Sequence, residues 1–170
     1  EDKKITPAGY AEYLKAIVAE LKEKCAQYDF PLPYLVVEPG RSIVAEAGIT
    51  LYTVGAIKEI PNVKKYVAVD GGMFDNPRYA LYQSKYTALL AARADEKPEE
   101  IVTIAGKCCE SGDIVCADVP LPAAKSGEIL AVLSTGAYNY SMASNYNRNF
   151  IPGAVLAYKG NAEYIVKPQT

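Results

Sequence analysis

The 170-residue sequence has no histidine and no tryptophan, and only two methionines and three phenylalanines. The missing histidine excludes Ser-His-Asp and Cys-His catalysis within this chain, and with it any histidine-ligated metal. A surplus of either charge is also lacking: 18 Lys and Arg face 20 Asp and Glu. Nucleic acid is therefore excluded as the main partner, because phosphate binding needs a basic excess. No apolar run approaches the ~20 residues that span a bilayer. The chain opens on Glu1-Asp2-Lys3-Lys4 rather than on Met, so no signal peptide is expected and a trimmed or fragmentary chain is. The four cysteines, Cys25, Cys108, Cys109 and Cys116, lack the separation and partners of a zinc site. A disulfide framework does not suit a chain this long and this apolar, so free thiols in a reducing cytoplasm are expected. Chemistry here must come from Cys, Tyr, carboxylates, Arg or a cofactor.

Apolar residues make up half of the chain, enough for a sizeable core, and 14 tyrosines suit half-buried strand and interface positions. The length fits one domain, or one and a half small ones. Residues 6–28 have helical texture. Thr6 caps the first turn, Pro7 suits the first helical position, and Tyr13, Leu14, Ile17, Val18, Leu21 and Cys25 form one apolar stripe. Glu20 and Lys24 make a favourable surface pair. After Pro31 and Pro33, Tyr34 to Glu38 reads as a short apolar strand, and helix followed by apolar strand is the pattern of a parallel α/β unit. Beyond residue 48, β-rich runs alternate with turns: Ile49–Ile57, Tyr66–Val69, Ile101–Ala105, Asp113–Ala117, Ile129–Leu133, Ala154–Tyr158 and Glu163–Val166. Short helices are expected at Arg78–Tyr86 and Ser141–Asn147. The organisation expected is an α/β remnant over residues 1–48 and a mainly antiparallel β sandwich or barrel over 49–170.

Four stretches carry chemistry-bearing residues. Glu38-Pro39-Gly40-Arg41 ends the predicted strand, where α/β folds bind ligands. Gly40 lets backbone N–H groups approach an anion, Arg41 offers a fork for phosphate or carboxylate, and Glu38 can pair with a ring nitrogen. The plain alternative is a tight turn with a surface ion pair. Asp70-Gly-Gly-Met-Phe-Asp-Asn-Pro-Arg78 contains a glycine-permitted turn. If helical, Arg78 and Tyr82 share a face and can hold a carboxylate; the alternative is a surface arginine over a core tyrosine. Cys108-Cys109-Glu110-Ser111-Gly112-Asp113 places a thiol beside a carboxylate, a possible proton donor, or else two cysteines on opposite faces of a strand. Tyr138, at the end of another strand, can hydrogen-bond a ligand or pack at an interface.

In this order, these segments resemble the diaminopimelate decarboxylases. The matching stretches are Glu38-Pro-Gly-Arg-Ser-Ile-Val44, Ala47-Gly-Ile-Thr-Leu-Tyr52, Asp70-Gly-Gly-Met73, Arg78-Tyr-Ala-Leu-Tyr82, Cys109-Glu-Ser-Gly-Asp113, Thr135-Gly-Ala-Tyr138 and Ser141-Met-Ala-Ser-Asn-Tyr-Asn-Arg148. The resemblance implies the alanine-racemase-like fold, a TIM barrel holding pyridoxal phosphate followed by a C-terminal β domain. It implies conversion of meso-diaminopimelate to L-lysine and CO2. It places Glu38, Pro39, Gly40, Arg41 and Tyr138 on the cofactor, and Arg41, Arg78, Tyr82, Glu110 and Tyr138 on the substrate. Cys109 becomes the proton donor and Cys108 an extra thiol. Cys109 and Glu110 would serve a partner subunit's site, so a cytoplasmic homodimer is implied.

The family's Schiff-base lysine lies upstream of the matching stretches. A C-terminal fragment, inactive alone, is therefore expected. Sister decarboxylases of arginine, ornithine or carboxynorspermidine are the enzymatic alternative. Arg78 argues against those that form diamines, because it would repel a bare distal ammonium. A non-catalytic dimerisation or regulatory β module is the other alternative.

Overall fold

The computed structural model describes residues 9–170, which divide after Glu38 into two units. The proposed caps Thr6 and Pro7 lie outside the described residues.

In the first unit, α1 spans Tyr10–Gln27. These eighteen residues contain neither Gly nor Pro and are rich in Ala, Leu, Lys and Glu, the strong helix formers. The Glu12 carboxylate accepts the Gly9 N–H at 3.0 Å, satisfying one of the donors that a helix start leaves open. Glu12 in the first turn and Lys24 in the last complement the helix dipole, and Lys24 pairs with Glu20 at 3.5 Å. The apolar stripe is present, but α1 buries none of its side chains.

The strand expected at Tyr34–Glu38 is absent: residues 28–40 run without regular structure, and Tyr34 and Val36 are exposed. A strand exists only against a hydrogen-bonded neighbour, and no described strand pairs with this segment.

The second unit contains α2 (Arg41–Val44), β1 (Thr50–Ile60), β2 (Lys64–Val69), α3 (Arg78–Tyr82), β3 (Ala88–Leu90), β4 (Glu100–Ala105), β5 (Ile114–Leu121), β6 (Ile129–Val132), α4 (Asn139–Met142), β7 (Ala154–Tyr158) and β8 (Asn161–Val166). Six strands form one sheet in the order β3-β6-β1-β2-β4-β5. The β2–β4 pair is parallel and the other ladders are antiparallel. The sheet curls until its edge strands β3 and β5 meet, giving a nearly closed barrel with little open edge. The mainly antiparallel β domain expected from the sequence is thus a barrel rather than a sandwich.

Alternation builds its core. Tyr52 and Val54 of β1 point inward while Leu51 and Thr53 point out, and Val67 and Val69 do the same from β2. With Leu90, Val102, Ile104, Val115, Leu121, Leu130 and Val132 they form one buried cluster. β7 and β8 make a separate hairpin, turned at Lys159 and Gly160, both with positive φ.

Differences from expectation are local. β3, three residues long, carries too short a pattern to announce itself. α3 stops at Tyr82, where Gln83 adopts φ 51° and closes the helix left-handed. The helix expected at Ser141–Asn147 begins earlier, at Asn139, and breaks into a separate 3-10 turn at Tyr146–Arg148.

Leu130 is fully buried in β6, between β1 and β3. Leu130→Ala is expected to lower unfolding stability by about 3 kcal/mol, through lost transfer energy and a residual cavity. Leu156→Ala on the exposed hairpin is expected to change it by less than about 0.5 kcal/mol. Urea unfolding of both variants measures the contrast.

Candidate functional site

Two short segments meet at the start of the barrel unit. The Thr135–Gly136 backbone docks on the turn after α2: the Thr135 N–H donates to the Gly48 carbonyl at 2.9 Å and the Gly136 N–H to that of Ala45 at 3.0 Å. The approach demands glycine, since a Cβ on Gly136 would strike the Val44 carbonyl oxygen. The Thr50 and Thr135 hydroxyls bond at 2.9 Å. This docking carries Tyr138 over Gly40, where any Cβ would collide with the tyrosine hydroxyl. It also sets the Arg41 guanidinium 5.5 Å from the centre of the Tyr138 ring, within cation–π range. Gly40, Arg41 and Tyr138 are therefore one assembly. Glu38 ends the first unit and is exposed; Pro39 begins the second.

The loop from Asp70 to Arg78 is fastened from below by carboxylates. Asp70 accepts the Thr53 N–H at 2.8 Å. Buried Asp75 accepts the Tyr52 hydroxyl at 2.5 Å and the Gly72 N–H at 3.1 Å. Burial pushes the Asp75 carboxyl up to about 6, against the counter-effect of the Tyr52 hydrogen bond. The Tyr52 phenol is pushed well up, first by its own burial and then by Asp75. Pro77 then starts α3, which lays Arg78 over the Tyr82 ring, 4.9 Å from its centre, with Nη1 3.7 Å from the Met142 sulfur.

Arg41 and Arg78 line a common cleft of about 580 Å³ with Glu46, Ser84, Lys85 and Ser134. Arg41 Nη2 and Arg78 Nε are buried and have no hydrogen-bond partner among the described residues. Two guanidinium groups with unsatisfied donors fit a bound carboxylate or phosphate. Lys85 is a further lining residue with no local signal in the sequence, because α3 ends at Tyr82 and the loop that follows places it.

The third assembly lies between β4 and β5. Cys108 and Cys109 are in a loop there, not on opposite faces of a strand, because Gly106 ends the ladder where its N–H bonds the Asp113 carbonyl. The loop is built on buried Asp113. Its carboxylate accepts the Met73 N–H at 2.6 Å and the Cys108 N–H at 2.7 Å, so it ties the Asp70–Arg78 loop to the cysteine loop. A Cβ on Gly72 or on Gly106 would collide with this carboxylate. The Cys108 thiol is pushed up to about 11, by burial first and by Asp113 second. Cys109 is exposed at the tip, with its N–H on Asn147 Oδ1 at 3.0 Å. Glu110 accepts the Gly112 N–H at 3.1 Å and the Ser111 hydroxyl at 3.3 Å. Cys109, Glu110, Tyr82 and Tyr138 are not among the residues lining the Arg41–Arg78 cleft. All four cysteines are free. No described helix is long and apolar enough to cross a membrane.

Residues 13–136 match the sequence model of the pyridoxal-dependent decarboxylase C-terminal sheet domain. The chain belongs to the pyridoxal-dependent decarboxylase family. Among curated members it is similar to diaminopimelate decarboxylase of Bacillus subtilis (strain 168), 52% identical over 164 residues. Solved structures agree. Diaminopimelate decarboxylase from M. jannaschii in complex with L-lysine superimposes with a TM-score of 0.79 at 37% identity, covering 100% of this chain and 38% of that one. The Helicobacter pylori enzyme complexed with L-lysine gives 0.78 at 29% identity, covering 99% and 39%. The chain spans 37% of the length of the B. subtilis relative while 96% of its own residues match.

Two predictions test the framework of this decarboxylase domain. Asp113→Ala is expected to cost about 3 kcal/mol, because two backbone N–H groups lose a charged acceptor. Asp113→Asn, which keeps one carbonyl oxygen, is expected to cost about half as much; chemical unfolding separates the two. The second concerns pH. The folded state keeps a proton on Asp75 up to about pH 6, whereas the unfolded chain loses it near the ordinary value of 3.8. Its contribution to stability is thus complete below pH 4, falls as pH rises toward 6, and is flat beyond. The difference in urea midpoint between parent and Asp75→Asn is expected to trace that window. Tyr52→Phe, by removing a donor to the carboxylate, is expected to extend the fall above pH 6.

Proposed function

We propose that the chain contributes one part of the active site of a pyridoxal-phosphate-dependent diaminopimelate decarboxylase, which forms L-lysine and CO2 from meso-2,6-diaminopimelate. The observation that carries this reading is the pair of arginines, Arg41 and Arg78, that line one cleft, each with a buried nitrogen that has no partner among the described residues. The distal end of diaminopimelate is a zwitterion. Its carboxylate pairs with the two guanidinium groups, whereas the bare distal ammonium of lysine or ornithine meets like charge.

The residues fit the cofactor. Gly40 lets the Tyr138 hydroxyl close on its backbone, where a side chain would collide, and Arg41 stacks on the same ring. Glu38, Pro39, Gly40, Arg41 and Tyr138 would hold the group, with the Gly40 backbone at its phosphate and Glu38 at its ring nitrogen. When bound, pyridoxal phosphate supplies the electron sink that decarboxylation requires. The chain's own work is positional and protic. Arg41, Arg78 and Tyr82 grip the distal carboxylate. Glu110 takes the distal ammonium. Cys109 gives its thiol proton to the α carbon from which CO2 has left. The lysine that binds the cofactor would lie upstream of this stretch, and residues 1–48 would complete the barrel that carries it. The protein would be a cytoplasmic homodimer in which Cys109 and Glu110 enter the partner's site.

In the full-length decarboxylase containing this chain, Cys109→Ser is expected to lower kcat by about 10²-fold, the scale of a lost general acid. Cys108→Ser is expected to leave kcat close to the parent value. Steady-state lysine production measures both. Unimpaired turnover in Cys109→Ser would refute the assignment and favour a non-catalytic sheet module.

A further inference from the structure

The Cys109–Glu110 tip is exposed, yet its main chain is fixed from two sides. The Cys108 N–H bonds Asp113 within the same loop, while the Cys109 N–H crosses to Asn147 Oδ1 at 3.0 Å. Asn147 sits in the Tyr146–Arg148 turn with φ 52° and ψ 25°, and Arg148 follows at φ 60°. The left-handed region is uncommon for residues other than glycine, and asparagine is among those that tolerate it. That backbone conformation presents the side-chain carbonyl to the cysteine loop.

The turn itself is strapped down. Asn145 Nδ2 donates to the Asn149 carbonyl at 2.8 Å and to Gln169 Oε1 at 2.6 Å. Asn149 Nδ2 donates to the Tyr146 carbonyl at 3.0 Å and lies 3.6 Å from the Cys108 sulfur. The Tyr146 phenol faces the Glu110 carboxylate, which adds to the effect of burial in pushing its ionisation up. One turn therefore touches Cys108, Cys109 and Glu110 together.

We propose that Asn147 is the positioning residue of the proton-donor loop: its left-handed backbone and side-chain carbonyl fix the Cys109 main chain and so the direction of the Cys109 thiol. The inference rests on the reading of Cys109 as proton donor. Glu110, besides facing Tyr146, keeps its own partners in Gly112 and Ser111, which do not pass through Asn147, so loosening Cys109 acts on the chemical step more than on substrate binding.

Two variants separate the hydrogen bond from the backbone. Asn147→Gly keeps the left-handed conformation and removes the acceptor; Asn147→Asp keeps both. In the cofactor-loaded full-length decarboxylase, Asn147→Gly is expected to lower kcat about tenfold, the equivalent of one lost hydrogen bond. KM for diaminopimelate is expected to stay near the parent value, and hydrogen exchange of the peptide 106–112 to quicken while that of the barrel strands does not change. Asn147→Asp is expected to recover both kcat and protection. Equal kcat in the two variants, or unchanged exchange over 106–112 in Asn147→Gly, overturns the inference. Full turnover in Asn147→Gly beside impaired Cys109→Ser overturns it and leaves the proton-donor reading standing. Full turnover in Cys109→Ser removes that reading, and the inference with it.

Discussion

The Asp113 carboxylate is the constraint on which the arrangement of the loops depends. It stands one residue before β5 and accepts N–H groups from two separate loops, at Met73 and Cys108. A buried carboxylate is costly unless its lone pairs are filled, and here backbone donors fill them at charge-assisted lengths. The surrounding sequence pays for this geometry with glycine: at both 72 and 106 a side chain would overlap the carboxylate. Because the same group holds both loops, the segment leading to Arg78 and the segment carrying Cys109 cannot shift independently. Asp75 and Tyr52 repeat the device, joining β1 to the Gly72 backbone.

The barrel's role follows from where the polar residues lie. Gly40 and Arg41 precede β1, Arg78 follows β2, Cys109 lies between β4 and β5, and Tyr138 follows β6. A nearly closed sheet with an interdigitated aliphatic core is a rigid support, and loops at its strand ends can carry chemistry without weakening it. Glycine recurs where two loops must touch through backbone, at Gly48 against Gly136 and at Gly40 against Tyr138.

Much of this was legible in the residues. The β-rich runs Ile49–Ile57 and Tyr66–Val69, punctuated by turns, announced β1 and β2. The segments carrying Gly40–Arg41, Arg78–Tyr82 and Tyr138 stood out through residue type and were brought together in pairs by the fold. What stayed hidden depends on distant partners. The apolar run at Tyr34–Glu38 reads as a strand by composition, but a ladder needs a neighbour that local sequence does not reveal. Asp113 read as the first residue of a β-rich run, since nothing nearby announces that Met73, forty positions away, will donate to it. Asn147 was equally silent: its role requires both a left-handed backbone and a cysteine loop arriving from another part of the chain. Lys85 was read into a helix that ends three residues earlier, at Tyr82, and its place in the cleft comes from the loop that follows.

Arg41 and Arg78 each carry a buried guanidinium nitrogen with no partner among the described residues. Stacking on Tyr138 and Tyr82 fixes the planes of the two guanidinium groups, so that their donors keep a set direction. Under the proposed function, a ligand with a carboxylate pairs with both groups, while one with only an ammonium meets like charge. The selectivity for a substrate with a distal carboxylate therefore resides in these two arginines. The proton donor sits on a different loop, steadied by Asn147 and joined through Asp113 to the segment that leads to Arg78.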